Sequence, residues 1–174
     1  MGLVASWREE QQQRQRVARY AAVLLREPAP ADIAWLVSLT GDLPRARHEL
    51  RLLRCALGVM VAEQDALADR TAADVAHHLG LPVRTAQPEM REGWAMRWRA
   101  YTDALGARGT RDGAAQRLAR TLLASAGVDT PPAQEIEAAA TRITDLRGEL
   151  NEALRATFGQ VALPEDLPPS AVRR

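Results

Sequence analysis

Two runs of residues spaced alternately three and four apart govern what this chain can become. The first is Leu50, Leu53, Leu57, Met60, Gln64 and Leu67; the second is Ile136, Ala139, Ile143, Leu146, Leu150 and Ala153. An α-helix completes a turn in 3.6 residues, so this spacing gathers each set on one side of a helix. No stretch alternates apolar with polar residues as a half-buried strand would, and β-branched residues are sparse. A helix with one apolar stripe must bury it against other helices. The expected fold is therefore all-α: a single-domain helical bundle of about six helices, two of them long and amphipathic.

The rest of the chain agrees. Alanine, leucine, arginine, glutamate and glutamine dominate, all good helix formers, and proline and glycine punctuate them. Helices are predicted near Trp7–Arg26, Ala31–Leu39, Pro88–Leu105, Arg111–Ala126 and Pro132–Phe158. Asp42 stands where an N-cap belongs, with Pro44 in the first turn, where its missing N–H costs nothing. The segment 43–79 reads either as one helix of about 55 Å at 1.5 Å per residue or as two, the second restarting at Thr71 with Asp74 completing a capping box. Residues 1–159 form the expected bundle and 160–174 a proline-rich extended tail.

Composition limits the function classes. With 47% apolar and 26% charged residues, disorder throughout is excluded, and a net charge of +1 gives no overall field for nucleic acid or anionic lipid. All 23 basic residues are arginine, while asparagine and phenylalanine occur once each. Residues with AT-rich codons are thus scarce, which points to a GC-rich bacterial genome. Cys55, the single cysteine, lies in an apolar helical run, so an inert buried thiol is expected rather than a disulfide or a multi-cysteine metal site. The first eight residues lack the apolar core of a signal peptide, and uncharged runs such as Cys55–Ala62 fall far short of the roughly 20 residues of a membrane helix. A cytoplasmic setting without membrane attachment is expected.

Enzyme signatures are missing. The chain has no Gly-rich phosphate loop, no Gly-x-Ser-x-Gly elbow, no His-Glu-x-x-His and no Glu-x-x-His. His77 and His78 are adjacent and point about 100° apart on a helix, so they cannot grip one metal together. The expectation is a non-enzymatic protein with no catalytic residues, no metal site and no cofactor.

Two stretches remain as candidates for binding. Residues 71–87 carry a small Ala76, Gly80 four residues later, and a following Pro82-Val83-Arg84-Thr85. In this pattern the stretch resembles the helix-turn-helix of bacterial regulators. The resemblance implies a recognition helix presenting Arg84, Thr85, Gln87 and Arg91 to base edges. Pro88 falls in the middle of that helix, Glu89 stands where an apolar residue is usual, and no wing follows. The same residues also read as a helix ending at Gly80 with a loop to Pro88. Nucleic-acid binding through residues 71–91 therefore ranks second.

The other stretch is aromatic. Trp94, Trp98 and Tyr101 stand at i, i+4 and i+7, bordered by Arg91, Arg97 and Arg99, in a chain with four tryptophans and one phenylalanine. Such a stripe is either core or an aromatic–arginine surface of the composition found at interface hot spots. The reading ranked first is a helical interaction or assembly protein that binds another protein or itself through Trp94, Trp98, Tyr101, Arg91 and Arg97.

Overall fold

The structure is a computed structural model that describes residues 2–65, 71, 73–79, 88–107 and 112–159; at 2–6, 65 and 88–92 it describes the backbone alone. Every regular element among the described residues is an α-helix. In chain order these are α1 (Gly2–Leu24), α2 (Pro30–Thr40), α3 (Leu43–Asp65), α4 (residues 73–79), α5 (Pro88–Gly106), α6 (Ala114–Ala126) and α7 (Ala133–Phe158). The all-α bundle expected from the two seams is the fold. Residues 66–70, which decide whether α3 and α4 are continuous, lie outside the described residues, as does the expected tail at 160–174.

The helix ends follow local chemistry. Asp42 caps α3, its Oδ1 accepting the Arg45 N–H at 2.9 Å. Pro30 opens α2, and Gly41, at φ 68°, closes it by donating its N–H to the Val37 carbonyl. Gly127, at φ 93°, ends α6, where the Val128 N–H reaches back to the Leu123 carbonyl at 2.8 Å. The Arg117 guanidinium takes up carbonyls at the end of α5, donating to Ala104 O at 2.5 Å and Leu105 O at 3.2 Å. A cation at that end also suits the negative pole of the helix.

Packing is organised around α3, which contacts α1, α2, α5, α6 and α7. All residues from Leu52 through Ala62 are buried, so this helix has no solvated side over three turns. Leu50, Leu53, Leu57 and Met60 of the first seam are buried, as are Ile136, Ala139, Ile143 and Leu150 of the second. Leu146 is only half-buried, and the last turn of α7 instead buries Leu154. Gln64 is exposed and accepts from Arg147 Nη2 at 3.2 Å, so the first seam turns polar where it leaves the core.

α1 meets α3 at Gly58. Tyr20 Oη donates to the Gly58 carbonyl at 3.0 Å, and a Cβ at Gly58 would lie 2.2 Å from Leu24 Cδ2. The two helices come this close because one of them lacks a side chain there. Gly148, on the exposed side of α7, has nothing within 4 Å of its Cβ position. The pair gives a matched expectation in urea unfolding. Gly58→Ala should destabilise by about 1–3 kcal/mol through overpacking, whereas Gly148→Ala should stabilise by up to about 1 kcal/mol through helix propensity.

Candidate functional site

The aromatic stripe lies on α5, and two contacts with α3 fix where it points. At Gly93 the helices approach closely, since a Cβ there would lie 3.1 Å from His48 Nε2 and 3.2 Å from Leu52 Cδ1. One turn on, Arg97 donates two bonds to the Glu49 carboxylate, Nε to Oε2 at 2.6 Å and Nη2 to Oε1 at 2.5 Å. Glu49 is 3% exposed and Arg97 19%, so this is a nearly buried, two-pronged ion pair. The hydrogen bond to Glu49 raises the Arg97 pKa above its ordinary value against the opposing cost of burial. Arg97 also reaches the Ser125 carbonyl at 3.5 Å, where Arg45 donates at 2.9 Å, so two guanidinium groups meet the C-terminal end of α6.

The stripe divides. Tyr101 is wholly buried in the core, and its hydroxyl has no hydrogen-bond partner among the described residues. Burial pushes its pKa well up, nearby Glu49 adds to the push, and Arg97 opposes it. Trp94 and Trp98 are half-buried, packed against the core on one side and stacked on each other with ring centroids 5.9 Å apart. Neither indole N–H finds an acceptor among the described residues. Trp35, by contrast, donates to Glu135 Oε2 at 3.1 Å and lies under the Arg142 guanidinium, 5.0 Å from ring centroid to Cζ. Arg99 is 86% exposed and holds Asp103 only loosely, at 3.9 Å. Met96, 63% exposed, lies on the same helix.

Of the residues expected to bind a partner, Trp94 and Trp98 thus reach the surface together. Tyr101 is inside, too deep to touch a partner, because its position on α5 faces α3 rather than solvent. Arg97 is committed to Glu49. The side chain of Arg91 lies outside the described residues, and so do Arg84, Thr85 and Gln87 of the helix-turn-helix reading. Within that reading Ala76 was to sit where two helices approach; it is exposed, while Val75 and Leu79 are buried. Glu49 went unnoticed in the sequence. The signal that marks it is Arg97 itself, a charge set i−4 from Tyr101 and i+3 from Trp94 within an apolar stripe, which requires a buried acceptor.

Between α1 and α4 an open groove of about 650 Å³ gathers Glu10, Gln13, Arg14, Asp74, His77 and His78. Among the described residues no three His, Cys, Asp or Glu side chains are placed to hold a metal ion. A cavity of 110 Å³ between α3, α5, α6 and α7 is lined by Leu57, Met60, Leu105, Leu118 and Ile143, with Arg147 at its rim. It is smaller than the roughly 300 Å³ at which small-molecule sites begin. No described helix is long and apolar enough to cross a membrane. Compared with known families, curated proteins and solved structures, the chain has no significant match.

Three measurements follow. Arg97→Ala should destabilise by about 3–5 kcal/mol by stranding a buried carboxylate, and the pair Glu49→Leu with Arg97→Met should recover most of that loss. Tyr101→Phe should be neutral or stabilising in the same unfolding assay, since it removes a buried hydroxyl that has no partner among the described residues. Burial pushes the Cys55 thiol up to about 12 from 9.0, ahead of the lowering effect of Arg54 and Arg51. Native protein should therefore resist iodoacetamide at about pH 8 and react once unfolded. Its contribution to stability is complete below 9.0 and is lost as pH climbs from there toward about 12.

Proposed function

We propose that this chain is a non-enzymatic interaction protein whose α5 edge, with Trp94 and Trp98, docks another protein. The observation that carries the reading is the stacked indole pair, half-buried on a helix held in place, with no acceptor for either N–H among the described residues. Tryptophan is the residue most enriched at interface hot spots, and rings already fixed by packing lose little freedom when a partner covers them. A partner acceptor at the two N–H groups would add direction to that apolar contact. A reducing, cytoplasmic setting fits a chain whose single thiol is buried.

Oxidative footprinting tests the reading. Trp94 and Trp98 should be modified readily in the purified chain and protected in the cells that make it. Equal modification in both would end the proposal. Gel-shift titrations provide the other arm, where no sequence-selective complex is expected. A salt-sensitive complex with a specific duplex, lost in Arg84→Ala, would replace this reading with the helix-turn-helix one.

A further inference from the structure

α7 covers only part of α1. The two helices pack against each other and run antiparallel, because Tyr20 meets the Phe158 ring, whereas Arg54 joins the later Val23 carbonyl to the earlier Glu149. The last turn of α7 thus lies beside Tyr20, and the helix closes at Gly159 with φ 88°. Toward its N-terminus α1 borders α4 instead, and the Gln13 amide donates to Thr71 Oγ1, just before α4, at 3.3 Å. The open groove of about 650 Å³ between α1 and α4 begins at Val17 and Ala18, one turn from Tyr20, and runs along α1 to Glu10.

The lining of this groove fits a peptide better than a small ion. Val17 and Ala18 give it an apolar seat, and its rim mixes Glu10 and Asp74 with Gln13, Arg14, His77 and His78. Such a rim has no single sign to hold an ion. It offers both donors and acceptors, which an extended segment needs because its backbone N–H and C=O groups are unpaired. Arg14 pairs with Glu10 at 3.2 Å in an exposed contact. Pairs of that kind contribute little, so the guanidinium can turn to another carboxylate.

We propose that this groove is the seat of the segment that follows α7 in the same chain, residues 160–167, laid extended along α1 with Val161 and Leu163 on Val17 and Ala18. The chain leaves α7 beside the near end of the groove. Glu10, at the far end, precedes Tyr20 by ten positions, about 15 Å of helix. About five extended residues cover that distance. Alternate residues of an extended chain share a side, so Val161 and Leu163 face the apolar seat together. Pro164 biases Leu163 toward that conformation. Glu165 and Asp166 come next in sequence, within reach of Arg14. Tethering holds the segment at about millimolar effective concentration, so a contact this small suffices and a separate partner has to displace it.

Engineered thiols test the seat, since Cys55 is buried and does not compete. With Leu163→Cys in place, Ala18→Cys should close a disulfide within one chain at least about tenfold faster than Gln12→Cys, because docking raises the local concentration at the groove alone. Gln12 lies on the exposed, opposite side of α1, within reach of the same segment. Adding Val161→Asp should bring the two rates together. A spin label on Ala162→Cys, which leaves the bundle unaltered, should be immobilised and then released by Val161→Asp. Equal rates for the two pairs, disulfides formed only between chains, or a label that moves freely without Val161→Asp would overturn the proposal. Equal rates or a free label mark an undocked segment, and interchain disulfides a segment lent to a second copy. The groove is lined from α1 and α4, so each of these outcomes leaves the Trp94–Trp98 footprint unaffected.

Discussion

Burial of α3 on every side is the constraint from which the other helices take their places. A helix of a small bundle ordinarily keeps one face in water, where any polar residue is tolerated. From Leu52 to Ala62 this one keeps none. Each neighbour must therefore match a different side of the same cylinder. Gly58 admits α1, Leu52 and His48 receive α5 at Gly93, and Leu57 and Met60 face the cavity shared with α6 and α7. Charges on such a helix cannot be left to solvent either. Arg54, 6% exposed, is met by the Val23 carbonyl and Glu149, and Glu49 by Arg97.

Arginine serves this architecture in a way lysine would not. Its planar fork bonds two acceptors at once and stays charged when buried. Arg117 spans the carbonyls of Ala104, Leu105 and Asp112, joining the end of α5 to the approach to α6. Arg142 pairs with Asp32 while covering the face of Trp35, which ties α2 to α7. Whatever the reason for the missing lysine, the fold uses the geometry that arginine supplies.

The fold was legible in the sequence because helical periodicity is a local property. The seams, the Asp42 cap and the glycine and proline stops needed only neighbouring residues to be read. The direction in which the stripe on α5 faces was not local. Trp94, Trp98 and Tyr101 share one stripe on a helical wheel, but the neighbours that cover it come from helices distant in sequence. Tyr101 therefore points into the core while the tryptophans, a turn or two earlier, lie at its edge. Leu146 is half-buried for a similar reason: the seam of α7 drifts around the helix, and the core side passes to Leu150 and Leu154. The partner of Arg97 is 48 positions away, beyond any pattern in neighbouring residues.

The same buried pair bears on what α5 can do. Aliphatic side chains between two helices allow several rotations of similar energy, because one methyl group substitutes for another. A bidentate guanidinium–carboxylate bond has one geometry, and leaving either charge unmatched in the core is costly. Glu49 and Arg97 thus set the rotation of α5 about its own axis, and Gly93 sets its distance from α3. With both fixed, Trp94 and Trp98 have a single place, stacked and half-buried at the margin of the core. An internal ion pair is a poor means of adding stability to a bundle this well filled with leucine. It is an effective means of holding an aromatic edge in one orientation, and orientation is what a surface needs if a partner is to recognise it.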